Sequence, residues 1–134
     1  MRVWIIDHGM IGGGIAQCFA WHGRALSVYD IRPDAAQTLA GVPAVLESPG
    51  AVALRSDIVI IAVVSAEQVA SVLRGPNGIL ASAAPGSVVL IVSTIAVSAF
   101  LQFAAEADHH GVHLIYAGVR VATRQRRVVS SRWL

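Results

Sequence analysis

Residues 7–17 read Asp-His-Gly-Met-Ile-Gly-Gly-Gly-Ile-Ala-Gln, three consecutive glycines with a fourth three positions earlier, directly after the apolar run of residues 2–6. Where a strand gives way to a helix, glycine lets the backbone come close to a bound group, and the unpaired N–H groups of the helix start attract phosphate. Gly9 is placed to let the chain approach a pyrophosphate, Met10 and Ile11 supply N–H groups at the helix start, and Gly12 lets that helix pack on the strand. Eighteen residues beyond Gly12, a second apolar run ends at Asp30, whose carboxylate can accept hydrogen bonds from the hydroxyls of an adenosine ribose. A carboxylate there predicts NAD, because it repels the extra phosphate of NADP. Arg32, two residues on, offers that phosphate a partner, so NADP stays possible. Asp7 is the departure: it stands where the fingerprint has its first glycine. Aspartate tolerates unusual backbone angles better than most residues, yet its charge would lie near a diphosphate, which a protonated His8 would partly offset.

The elements that must position these residues follow from periodicity. Residues 2–6 read as a first strand, 10–22 as a helix stopped by Gly23, and 25–30 as a second strand. Pro33 opens a short helix through Leu39, residues 43–46 form a weak third strand, and Ser48-Pro49 cap a helix through Leu54. Residues 58–64, Ile-Val-Ile-Ile-Ala-Val-Val, have the unbroken β-branched character of a parallel strand buried on both faces. A helix over 66–73, a turn at 75–78, a strand over 87–92, a helix over 97–110 and a strand over 112–117 complete the chain. This alternation predicts an α/β fold, a doubly wound parallel sheet of the Rossmann type.

Composition sets the bounds. The 134 residues are 55% hydrophobic and 13% charged, which predicts one domain with a substantial core and excludes a disordered body. A single cysteine, Cys18, excludes an internal disulfide and fits a reducing compartment, so a cytoplasmic location is expected. The opening Met-Arg-Val-Trp-Ile-Ile is cut short by Asp7 and His8, too soon for the apolar core of a secretion signal. Residues 87–105 are long and apolar enough to span a bilayer, but the β-branched block followed by Ser93-Thr94 reads instead as a strand and then a helix, so no membrane is expected. All ten basic residues are arginine, and five of them lie in 120–134, which hold no acid. Residues 1–119 carry five arginines against eight acids, a net of −3. The expected organisation is a dinucleotide-binding domain over 1–119 and a basic tail over 120–134.

Beyond single motifs, the chain resembles the β-hydroxyacid dehydrogenases, which include 3-hydroxyisobutyrate dehydrogenase and the coenzyme domain of 6-phosphogluconate dehydrogenase. The likeness runs from residue 2 to about 119. It rests on Ile-Ile-Asp-His-Gly-Met-Ile-Gly-Gly-Gly-Ile-Ala (5–16), on Val-Tyr-Asp-Ile-Arg-Pro-Asp-Ala-Ala-Gln-Thr-Leu-Ala (28–40), on residues 47–80, and on Pro-Gly-Ser-Val-Val-Leu-Ile-Val-Ser-Thr-Ile-Ala-Val-Ser (85–98). The resemblance implies NAD(P)-dependent oxidation of a small β-hydroxyacid by hydride transfer. It puts Val63, Val64 and Thr94 against the cofactor and Ser93 near the substrate. It also implies a second, helical domain and a catalytic lysine further along. This sequence holds no lysine and, after Tyr116, lacks the family's Gly-Gly segment, so no catalytic residue is assigned and turnover by this chain alone is not expected.

Because the likeness and the charge balance break at one point, a frameshift is the expected origin of the tail. One GC-rich back-translation of 119–134, read in a shifted frame, restores Pro-Gly-Gly and a small-residue run. A 3-hydroxyacyl-CoA dehydrogenase-like chain shares the glycine register but has a longer excursion than the twenty-six residues between Asp30 and Asp57. A binding module acting through the arginines is a further alternative, although the tail has only Trp133 for stacking and no nucleic-acid partner is expected. His109, His110 and His113 read as a solvated helix end rather than a metal site.

Overall fold

The computed structural model describes residues 1–24, 26–32 and 48–119. Five strands form one sheet: β1 (Val3–Ile6), β2 (Ser27–Tyr29), β3 (Ile58–Ile61), β4 (Val88–Ile91) and β5 (His113–Tyr116). Their spatial order is β2-β1-β3-β4-β5, and every neighbouring pair is parallel. Among the described residues five helices lie between them: α1 (Met10–Trp21), α2 (Pro49–Ala53), α3 (Ala66–Leu73), α4 (Ile79–Ser82) and α5 (Val97–His109). This is the doubly wound parallel sheet that the alternation predicts. The helix expected over 33–39, the strand expected over 43–46 and the tail over 120–134 lie outside the described residues.

Alternate side chains of each strand enter opposite cores, so a parallel strand covered on both sides must be apolar throughout. Trp4, Ile6, Val59, Ile61, Val89 and Ile91 pack on one side against α2, α3, α4 and α5, where Val52, Val69, Leu73, Ile79 and Phe103 complete the layer. Val3, Ile5, Val28, Ile60 and Ala62 face the other side, covered by Ala16, Ile11, Ile15 and Phe19 of α1. The apolar run of 87–105 divides into β4 and α5, and among the described residues no helix is long and apolar enough to cross a membrane.

Local signals set several boundaries. Ser48 accepts the Ala51 N–H at 3.1 Å and Pro49 follows it as the first residue of α2, the arrangement expected of a capped, proline-opened helix. The strand expected over 58–64 pairs only through Ile61, because the chain then leaves the sheet toward Ser65, which caps α3 by accepting the Gln68 N–H. Helix α4 was not anticipated from the sequence. It is a single turn held by Ile79 and Leu80 after the turn at 75–78.

The tightest contact lies where α1 meets the sheet. A β-carbon added at Gly12 would stand 1.9 Å from the Asp7 carbonyl oxygen and 3.3 Å from the Ala62 β-carbon. At Gly14, two positions on along the same helix, it would meet nothing within 4 Å. The two glycines therefore respond oppositely to alanine. Gly12→Ala is expected to cost about 2 kcal/mol or more by forcing backbone apart, and Gly14→Ala to gain up to about 1 kcal/mol from helix propensity. Urea midpoints of the two variants check this, and equal shifts would contradict it.

Candidate dinucleotide site

The sheet order makes β1 the switch point. From β1 the chain passes to β2 on one side and later to β3 on the other, so the strand ends diverge above it. Ligands of open parallel sheets bind in such crevices, beyond the carboxyl ends of the strands. A cavity of about 330 Å³ opens there, lined by Ile6 of β1 and Asp7 after it, Tyr29 of β2 and Ile31 beyond it, Pro49 of α2, Val63 after β3, and Gln68, Ser71 and Val72 of α3.

The β1–α1 turn brings the glycine-loop residues together. Asp7 has φ +75°, the left-handed region that glycine occupies without cost. The sharp turn that the fingerprint normally assigns to glycine is therefore present and is made by an aspartate. Its N–H donates to the Tyr29 carbonyl at 2.8 Å, which ties the turn to the end of β2. Gly9 is the N-cap of α1 with no side-chain cap, and the first turn holds no acid, so its amides are left for another acceptor. Met10 is exposed and Ile11 half-buried in that first turn.

Asp30 is the most constrained charge of the site. Its side chain is fully buried beside an exposed sequence neighbour, Ile31. The His8 N–H donates to its Oδ2 at 2.8 Å and the Arg32 N–H to its Oδ1 at 2.8 Å. Arg32 also forks onto it, Nε to Oδ1 at 3.1 Å and Nη2 to Oδ2 at 3.0 Å. Burial pushes the carboxyl up, but the Arg32 side chain, followed by the Arg32 and His8 N–H groups, outweighs it and holds the group at about 2. The residue expected to accept a ribose thus already accepts four hydrogen bonds from its own chain, two of them from the Arg32 guanidinium.

Asp7 is coupled to this centre. Arg32 Nη2 reaches its Oδ1 at 3.9 Å. Burial raises the Asp7 carboxyl first, then the Asp30 charge and a direct hydrogen bond with Asp30. A donated Gly9 N–H and Arg32 act in the opposite direction without cancelling the rise.

The remaining expected residues lie across the strand ends. Val63 is buried and lines the cavity, and Val64 is exposed. The Val64 N–H donates to Gln68 Oε1 at 2.9 Å. Ser93 is buried just past β4, and its Oγ has no hydrogen-bond partner among the described residues, while the adjacent Thr94 is exposed. A buried hydroxyl without a partner costs free energy unless a ligand or water supplies one. Gln68 and Ser71, both at the cavity, were missed by the sequence reading. Among the described residues no group of three His, Cys, Asp or Glu is placed to hold a metal.

A parallel sheet with this switch point, a glycine turn into a helix and a buried acid at the end of β2 defines a dinucleotide-binding domain. The chain belongs to the family of the NAD-binding domain of 6-phosphogluconate dehydrogenase, whose model matches residues 2–125. It is 35% identical over 97 residues to L-threonate dehydrogenase of Cupriavidus necator, covering 70% of this chain and 32% of that protein. Mouse mitochondrial 3-hydroxyisobutyrate dehydrogenase is 33% identical over 119 residues, 87% of this chain and 35% of that one. Among solved structures, 3-hydroxyisobutyrate dehydrogenase of Salmonella typhimurium superposes with a TM-score of 0.81 at 28% identity, covering 91% of this chain and 43% of that chain. The chain therefore spans about a third of the length of the curated relatives it matches. It is an NAD(P)-binding domain of the kind carried by 3-hydroxyisobutyrate dehydrogenase-like oxidoreductases.

The folded-state value of Asp30 lies below its value in the unfolded chain, so it contributes stability that is present above about pH 4 and lost as pH falls toward about 2. Asp30→Asn is expected to be less stable than wild type by roughly 2 kcal/mol at pH 7, with the gap closing below pH 4. Paired urea titrations across pH check it, and a gap independent of pH would contradict it.

Proposed function

We propose that this chain binds NAD as the coenzyme-binding unit of an oxidoreductase that takes hydride from a small β-hydroxyacid, and that residues 1–134 alone do not turn that substrate over. The observation that carries the reading is the buried, ionised Asp30 at the end of β2, beside a cavity at the sheet's switch point and across from an uncapped α1. The first-turn amides around Gly9, Met10, Ile11 and Gly12 would hold the diphosphate. Asp30 would accept from the ribose in the places the Arg32 guanidinium now takes, while the His8 and Arg32 N–H groups keep it ionised. That retained charge favours the ribose diol of NAD over the phosphate of NADP, with Arg32 as the counterweight.

Val63, Val64 and Thr94 would lie along the cofactor. The unsatisfied Ser93 hydroxyl supports a substrate-side role for that residue. When bound, the nicotinamide supplies the hydride acceptor. The absence of any lysine supports the lack of turnover, and the arginine-rich 120–134 is proposed as a tail outside the binding domain. A cytoplasmic setting is supported by the single cysteine, Cys18.

The test is a titration of NADH and NADPH into the full chain and its Asp30→Ala variant. NADH is expected to bind more tightly than NADPH, and Asp30→Ala to weaken NADH at least about tenfold, the loss of a charge-assisted acceptor. Oxidation of 3-hydroxyisobutyrate should stay at background. Equal NADH affinity of the two proteins would contradict the role given to Asp30.

A further inference from the structure

The β1–α1 turn contains an anion of its own. Asp7 Oδ2 lies 2.9 Å from where a Gly9 β-carbon would stand, and the carboxylate accepts the Gly9 N–H. It therefore sits against the N-cap of α1, a twelve-residue helix whose first turn is neither capped by a side chain nor supplied with an acid. An anion at a helix start is favourable, so Asp7 already takes part of what the helix offers to a diphosphate. On the other side it shares Arg32 Nη2 with Asp30, 3.9 Å from Asp7 Oδ1 and 3.0 Å from Asp30 Oδ2, and four N–H donors hold Asp30 ionised. Two carboxylates around one guanidinium nitrogen repel each other, and since Asp30 has the four donors, Asp7 is the one whose protonation a further anion would favour.

We infer that Asp7 is a proton-linked gate on this site: as a carboxylate it competes with the dinucleotide's diphosphate at the start of α1, and dinucleotide binding is accompanied by transfer of one proton from solvent to the Asp7 carboxyl. The inference rests on the dinucleotide-binding reading above. In the balanced step, the Asp7 carboxylate gains a proton, the Asp7–Asp30 pair keeps one negative charge in place of two, and the diphosphate remains fully ionised.

Among the described residues, the groups facing Asp7 come from three elements. From its own turn there is His8, whose ring lies over Gly13. From the end of β2 come Asp30, Tyr29 and Arg32. From α3 come Gln68 and Ser71, neither of which titrates in this range, with Glu67 exposed. Among the described residues Arg32 is the cation paired with Asp7, at 3.9 Å and more than half exposed, so it relieves little of the repulsion. Burial and the Asp30 charge raise Asp7 already in the free protein. A diphosphate nearby raises it further, so proton uptake occurs between the free and bound values, and affinity increases as pH falls through that window.

The test is calorimetric titration of NAD+ into the full chain at about pH 8 and about pH 5.5, in buffers of different ionisation enthalpy. Wild type is expected to bind about tenfold more tightly at the lower pH, with net proton uptake in the window. Asp7→Asn, which keeps a residue tolerant of the left-handed turn, and Asp7→Gly should bind about tenfold more tightly than wild type at the higher pH and lose the pH dependence. His8→Gln should retain it. If Asp7→Asn and wild type share one pH dependence, or if His8→Gln abolishes it, the gate is overturned and the dinucleotide site stands. If none of the proteins binds NAD+ at either pH, the dinucleotide reading itself fails and the gate with it.

Discussion

The close approach of Gly12 to the Asp7 carbonyl fixes the geometry on which the site depends. With no side chain at residue 12, α1 lies against the end of β1 and against Ala62 beyond β3, and the turn between strand and helix shrinks to Asp7, His8 and Gly9. So short a turn requires a left-handed residue, and Asp7 supplies it at φ +75°. From that conformation its carboxylate points back to the helix start and to Asp30, while its N–H binds the Tyr29 carbonyl. One steric constraint thus sets the helix position, the turn and the contact between two acids.

Electrostatics then distinguish the two carboxyl groups on either side of Arg32 Nη2. Asp30 is fully buried, yet two backbone N–H groups and a two-pronged guanidinium meet it, and such charge-assisted contacts outweigh the cost of desolvation. Asp7 receives one backbone N–H and a distant, partly solvated arginine, and the charge of Asp30 works against it. The ordering follows from the number and placement of donors, not from burial, because the more deeply buried acid is the one whose pKa is lowered.

Much of this architecture is legible in the sequence. The helices α1, α3 and α5 and the strands β1, β2, β4 and β5 are periodic over long enough stretches to be placed within a residue or two, and the Ser48-Pro49 cap is a local signal. What is not legible is short or tertiary. Helix α4 has four residues and no period, and β3 stops at Ile61 because its pairing with β1 and β4 ends there, although the β-branched run continues. Arg32 reads from sequence as a partner for a phosphate, whereas the fold turns it onto Asp30. Gln68 had a signal that went unused. Ser65-x-x-Gln68 is a capping pattern, although here the glutamine accepts the N–H of Val64, one residue before the cap, rather than that of Ser65 itself. The Asp7–Asp30 contact joins residues far apart in sequence and has no local signature.

The measurement that most directly tests the account is a two-dimensional amide NMR spectrum of the full chain recorded with and without NAD+. The account predicts concentration-dependent shifts confined to the amides of residues 8–13, to Ile31 and Arg32 after β2, and to the turn after β3 at Val63 and Val64. No shifts at saturating NAD+, or shifts concentrated in residues 120–134 with the β1–α1 turn unmoved, would contradict it.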